Sequence, residues 1–205
     1  MAIIGDTSPY HSLTLAHYRI HTIQRWIERC IRMTSTDVIE IYSALSESGI
    51  HIWIDGGWGV DALLGEQTRP HKDLDIAIEA HQVLQFEQFS VARGYRRTKR
   101  EIERPFNFVL GDLCGREIDA HVVSLDAVGN GLYGPPENGI MYPADSLTGT
   151  GAINGFPVRC ISPQWMVKFH SGYELTEKDY QDVSALCERY GIALPQEYFR
   201  FKGRS

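Results

Sequence analysis

The sequence predicts an α+β fold built on an antiparallel or mixed sheet, and three observations predict it. Helical patterns at both ends of the chain enclose a middle of short alternating apolar runs. Two pairs of those runs are joined by tight-turn residues, Leu113-Cys114-Gly115 and Asn154-Gly155, which mark hairpins. The 205 residues, 43% hydrophobic and 22% charged, suffice for one large domain or two small ones around a real core.

The elements follow in order. Over residues 13–32, Ala16, Ile20, Ile23, Ile27 and Cys30 recur at helical spacing and form one apolar seam, fit to pack on the body of the protein or on a second subunit. His17 and His21 share that helix but have no third ligand nearby, so they read as surface histidines. A second helix runs from about Ser35 to Ser48, with Thr36 as its N-cap and Gly49 as its stop. Ile50–Ile54 is a strand, and a short helix runs from Gly57 or Trp58 to Leu64, ended by Gly65. KDLDIAIEA is a strand, and AHQVLQFEQFSVARG is a helix closed by Gly94. FNFVLGD (106–112) and REIDAHVVSL (116–125) form the first hairpin. Residues 126–151 are rich in Gly, Pro and Asn and read as a long loop with room for one short strand. The second hairpin turns at Asn154-Gly155, Ser162-Pro163 opens a helix with Pro at its first position, and Thr176 with Asp179 opens another that stops at Gly191.

Composition excludes several functions. No apolar run reaches membrane-spanning length, and MAIIGDTSPYHS has neither the basic start nor the long apolar stretch of a secretory signal. Cys30, Cys114, Cys160 and Cys187 lie far apart without a CxxC, which fits reduced thiols in a cytoplasmic protein. The formal net charge of −6 argues against nucleic acid as a partner, since the densest basic run, RRTKR, is followed at once by Glu101 and Glu103.

The chemistry lies in acids on strand faces. Side chains alternate across a strand, so Leu74, Ile76 and Ile78 of KDLDIAI share the core face while Asp73, Asp75 and Ala77 share the open one. Two carboxylates about 5 Å apart repel by roughly 3 kcal/mol at an effective dielectric of about 20, which a shared proton or a divalent cation offsets. Hard oxygen ligands with no neighbouring cysteine favour Mg²⁺ or Mn²⁺. In REIDAHVV, Glu117, Asp119 and His121 share one face, so a second strand offers a third acid. Upstream, Gly56-Gly57 precede a helix, where glycine lets the backbone approach a phosphate and the helix N-terminus presents N–H groups to it.

A glycine pair, then DxD, then a later acid on another strand is similar to the pattern of the nucleotidyltransferase superfold. WIDGGWGVDALLGEQTRPHKDLDI and CISPQWMVKFHSGYELTEKDYQDV resemble lincosamide nucleotidyltransferases, and the first block also resembles aminoglycoside 2''-nucleotidyltransferases. The resemblance covers roughly residues 36–190. It implies a DNA polymerase β-like fold, a mixed sheet with helices packed on one side and a helical C-terminal part. The expected division is a helical extension over 1–33, the nucleotidyltransferase core over 34–161, and the C-terminal helical part over 162–205.

The resemblance further implies that Asp73, Asp75 and Asp119 hold two Mg²⁺ ions, with Asp119 or Glu117 as general base toward a drug hydroxyl. The expected reaction moves a nucleoside monophosphate from ATP or another NTP to that hydroxyl and releases pyrophosphate. Gly56 and Gly57 would cradle the triphosphate. Arg69 and Lys178 are the cationic candidates for phosphate charge, with His71 in support, while a surface ion pair with Asp182 is the rival reading of Lys178. Asp61 reads as structural. Trp58, Tyr133 and Tyr173 read as core rather than as stacking platforms, and His121 and His170 as ordinary histidines rather than pocket residues. The expected partners are a small-molecule antibiotic and a nucleoside triphosphate, with a homodimer as the expected assembly. The rivals are an aminoglycoside-modifying enzyme, a metal-dependent phosphohydrolase and a non-catalytic nucleotide-binding module.

Overall fold

A computed structural model of the chain describes residues 32–99, 104–135, 137 and 139–203. The helix expected over 13–32, with its histidine pair and apolar seam, lies outside the described residues save Arg32, as do residues 100–103 after the RRTK run.

The first described helix, α1 (Ser35–Glu47), starts one turn from the chain's pairing with His71 at Met33. Its N-cap is Thr34 rather than Thr36: Asp37 accepts from the Thr34 backbone N–H at 2.9 Å, and the Asp37 N–H donates to Thr34 Oγ1 at 3.2 Å. That reciprocal pair satisfies two N-terminal groups at once, which a cap at Thr36 could not do. Val38, Ile41 and Leu45 face the core.

The strands are β1 (Ile52–Ile54), β2 (Asp73–Glu79), β3 (Arg96–Arg97), β4 (Asn107–Gly111), β5 (Glu117–Leu125), β6 (Gly131–Tyr133), β7 (Ile140–Tyr142), β8 (Gly149–Ile153) and β9 (Phe156–Cys160). They form one mixed sheet in the order β3-β4-β5-β2-β1-β9-β8, with β6 and β7 continuing from the far end of β5. Both expected hairpins are present, β4–β5 and β8–β9, and Asn154 (φ 47°) and Gly155 (φ 79°) make the turn of the second. The loop expected over 126–151 is more structured than its composition suggested. It holds β6, β7, a 3₁₀ segment at Ala144–Thr148 and the start of β8. Its Gly and Pro residues punctuate strands too short to show a period.

Among the described residues four more α-helices follow: α2 (Gly56–Leu64), α3 (Val83–Ala92), α4 (Pro163–Phe169) and α5 (Glu177–Tyr190). Helix α2 lies tight on the sheet, since a Cβ at Gly151 of β8 would meet the Ala62 carbonyl oxygen at 2.2 Å. Helix α5 begins with the expected capping box, in which the Thr176 N–H donates to Asp179 at 2.8 Å, and ends at Gly191 in the left-handed region. One core of buried side chains joins α1, the sheet, α2, α4 and α5.

Two pairings decide the chemistry. β2 lies parallel to β5, with Asp73 opposite Glu117, Asp75 opposite Asp119 and Ala77 opposite His121. β1 lies antiparallel to β2 on its other side and delivers Asp55 and Gly56 to the same end of the sheet, where the Asp55 N–H donates to the Asp75 carbonyl at 2.9 Å.

Candidate active site

The alternation read from the sequence holds on both central strands except at Ala77, which was expected on the open face and is buried. Leu74, Ile76, Ile118 and Ala120 are buried, whereas Asp75, Glu117, Asp119 and His121 are only partly so. Because the strands run parallel in register, the acids of one stand beside those of the other. Asp75, Asp119 and His121 each offer a ligand atom within 4.8 Å of the other two, a group able to hold a metal ion. Asp73 stands outside that group, exposed at the start of β2. Two residues along a strand advance about 7 Å, so Asp73 borders the site rather than converging on its centre.

The electrostatics are those of a site built for a cation. The Asp75 carboxyl has no hydrogen-bond donor among the described residues. Burial first, then the neighbouring charges of Asp73, Asp55 and Asp119, push its pKa up from 3.8 to about 7, with His121 acting against them. Asp119 is held in place by Asn107, whose Nδ2 donates to its Oδ1 at 2.6 Å. Two more acids, Asp55 and Asp61, flank the glycine turn, and the structure separates them. Asp55 is 5% exposed, caps α2 by accepting from the Gly56 N–H at 2.8 Å, and also accepts from the Tyr142 hydroxyl at 3.2 Å. Burial works to raise the Asp55 carboxyl, yet the bond and charge of His121, together with the Gly56 N–H, bring it below its ordinary value. Burial likewise works to lower His121, and Asp55, Asp119 and Asp75 override it and raise the ring. His121 therefore lies between two carboxylates, with Nδ1 3.7 Å from Asp55 and Nε2 3.8 Å from Asp119. An apo set of acids that must share protons fits a divalent cation well.

The glycine pair makes this packing possible. Gly56 has φ +54°, and a Cβ there would lie 2.1 Å from Asp75 Oδ2. Gly57 faces the other way: its Cβ would lie 2.5 Å from His71 Nδ1 and 2.6 Å from Arg69 Nη2.

Behind that turn sits a second charged cluster. Arg69 grips Asp182 of α5 through Nε at 3.1 Å and Nη2 at 2.7 Å. Arg69 Nη1 also donates to His71 Nδ1 at 3.0 Å, which places the ring proton on Nε2, facing Asp61 Oδ2 at 2.5 Å. Asp61 takes two further bonds from Thr68, at 3.0 and 2.7 Å. Asp61 is thus structural, as expected, and Arg69 and His71 belong to the same scaffold. Arg69 is committed to Asp182, and no ion pair joins Asp182 to Lys178 among the described residues. Lys178 is exposed at the start of α5 and does not line the cavity described next.

A cleft of about 540 Å³ opens above the acids. Asp55, Gly56, Asp75 and His121 form its floor, and Tyr133, Ile140, Tyr142, Phe169 and Tyr173 supply apolar walls. The size and lining suit a small organic ligand. Tyr142 packs on Phe169 at 4.5 Å and Tyr133 on His121 at 5.2 Å, so the walls are held by ring contacts. Tyr133, Tyr173, His121 and His170, read from the sequence as ordinary packing or surface residues, all line this cleft. Trp58 is core, 1% exposed and packed on His71 at 4.6 Å. Lys168 stands on the cleft with its ammonium 4.0 Å over the Trp165 ring, and sequence reasoning missed it. Its signal was its place in KFHSGY, one helix earlier than Lys178.

Comparison with known proteins accords with this geometry. The chain is similar to a lincosamide resistance protein of Staphylococcus haemolyticus, 31% identical over 156 residues that span 75% of this chain and 94% of that protein. A 2''-aminoglycoside nucleotidyltransferase of Klebsiella pneumoniae is 34% identical over 77 residues, 38% of this chain and 43% of the relative. Among solved structures, the lincosamide antibiotic adenylyltransferase LnuA in its lincomycin-bound form matches with a TM-score of 0.67 and 28% identity, over 79% of this chain and 99% of that one. ANT(2")-Ia in complex with adenylyl-2"-tobramycin shares the fold, with a TM-score of 0.60 and 23% identity over 76% of this chain and 88% of that one. The family model for aminoglycoside-2''-adenylyltransferases matches residues 37–186, and with the mixed sheet and its paired acids this places the chain in that family of antibiotic nucleotidyltransferases.

Proposed function

We propose that this protein transfers a nucleoside monophosphate, AMP by preference, from a nucleoside triphosphate to a hydroxyl of a lincosamide antibiotic. The observation that carries the reading is the in-register pairing of Asp119 with Asp75, which lines an aromatic-walled cleft. Asp75 and Asp119, with Asp73 at the border of the site, are the residues that would hold Mg²⁺, which when bound neutralises phosphate charge and lowers the pKa of a coordinated hydroxyl. Asp119, oriented by Asn107, accepts the proton of the drug hydroxyl. Gly56 and Gly57 open the N-terminus of α2 to the triphosphate. Lys168 supplies on the cleft the positive charge that the sequence reading assigned to Lys178. Arg69 acts one layer back, fixing the loop that leads into β2.

The cleft favours a lincosamide over an aminoglycoside. Its described lining carries two acids, Asp55 and Asp75, both on the floor, whereas its walls are aromatic and carry Lys168. A polycationic drug would call for acids in the walls. Incubating the protein with ATP, Mg²⁺ and a panel of lincosamides and aminoglycosides, with mass spectrometry of the drugs, tests the reading. Addition of one AMP to a lincosamide is expected. Conversion of ATP that does not depend on drug would instead indicate hydrolysis.

A further inference from the structure

His170 lies at the end of α4, is 9% exposed and lines the cleft, yet the reaction outlined above gives it no part. Its polar atoms can be accounted for one by one. The backbone N–H donates to the Met166 carbonyl at 3.2 Å, and the backbone carbonyl accepts from the Tyr198 hydroxyl. The ring Nδ1 lies 2.8 Å from the same Met166 carbonyl. A carbonyl only accepts, so Nδ1 carries a proton, and in the neutral ring Nε2 presents a lone pair. Among the described residues Nε2 has no hydrogen-bond partner, and it is not sealed from solvent. The one polar atom His170 has to offer is therefore an acceptor, with its tautomer fixed by the helix it terminates.

Resting on the function proposed above, we infer that His170 is a specificity-determining residue whose Nε2 accepts a hydrogen bond from a hydroxyl of the antibiotic other than the one that is modified. Phosphate oxygens are poor occupants of this place, since an acceptor lone pair repels them. A hydroxylated drug lying between Phe169 and Tyr173 meets it well. A site that presents an acceptor rejects an analogue lacking the matching donor more strongly than an apolar wall does, because the acceptor is left unpaired.

Two substitutions separate recognition from packing. In His170→Asn the side-chain amide can still donate to the Met166 carbonyl, but nothing remains at the Nε2 position. In His170→Gln the amide reaches that position with an oxygen. With lincomycin and ATP as substrates, His170→Asn is expected to raise the KM for lincomycin about 10-fold, with kcat and the KM for ATP within about 2-fold and the Tm unchanged. His170→Gln should restore much of the loss. On a lincomycin derivative lacking the recognised hydroxyl, wild type and His170→Asn should perform alike. Equal KM values for lincomycin in wild type and His170→Asn would overturn the inference, as would an effect confined to the KM for ATP, which would assign the hydroxyl to the ribose. If wild type modifies no lincosamide at all, the functional reading fails first, and the two failures are told apart by that control.

Discussion

Two clusters of acids and histidines lie on either side of the glycine turn, built from the same residue types and opposite in character. Behind the turn, Asp61 and Asp182 have donors on both carboxylate oxygens, from Thr68, His71 and Arg69. In front, Asp55 and Asp119 flank His121 and take bonds from Gly56, Tyr142 and Asn107, but the Asp75 carboxyl has no donor among the described residues and is left to hold a proton near neutral pH. The rear cluster is complete within the protein. The front one is incomplete without a ligand, and that imbalance marks it as the working site, since buried charge persists only when something compensates it. Arg69, His71, Asp73 and Asp75 are neighbours in sequence, yet the first two serve one cluster and the last two the other.

The largest test of this contrast is Asp75→Asn. It removes a ligand from the front cluster and should cut drug modification by more than about 100-fold, beyond the usual loss from removing an outer-shell partner. It should leave the metal-free protein at least as stable, because it also removes an uncompensated charge; mass spectrometry of the product and a thermal melt read the two halves. Asp182→Ala should do the reverse. It strands Arg69, whose side chain is only 21% exposed, and should cost about 3 kcal/mol in urea unfolding. A smaller effect, and the sharpest, concerns pH. With the Asp75 pKa raised on folding from 3.8 to about 7, the native state binds the extra proton, so the group's stabilising contribution is complete below pH 3.8 and lost as pH rises through about 7. Metal-free protein should therefore melt lower at pH 8 than at pH 5, Mg²⁺ should raise the melting temperature at pH 8 and scarcely at pH 5, and Asp75→Asn should abolish that difference. A Mg²⁺ effect that survives in Asp75→Asn would place the cation elsewhere.

Local chemistry made much of the fold legible. Alternation on KDLDIAI and REIDAHVV gave the correct open faces, Asn154-Gly155 gave its hairpin, and the Thr176–Asp179 box gave the start of α5. Strand pairing was not legible, because nothing in either segment states that β2 and β5 run parallel with Asp75 opposite Asp119. The structural setting of Arg69 was obscured for a related reason. A cation near a motif looks the same in sequence whether it meets a phosphate or, like Arg69, an acid 113 residues away. The cleft walls were the least visible part, since Tyr133, Tyr142 and Tyr173 come from segments with no common period and become neighbours only after folding.

The split between floor and walls carries an evolutionary consequence. The acids stand on two central strands, where a shift of one residue would turn each of them into the hydrophobic interior, so the reaction chemistry tolerates no gradual drift. Ile140 and Tyr173 sit on a peripheral strand and a connecting segment that carry none of the paired acids of the central strands. Exchanges there can reshape which molecule is accepted while phosphoryl transfer stays intact, giving a lineage under antibiotic pressure a route to new drugs through its rim alone.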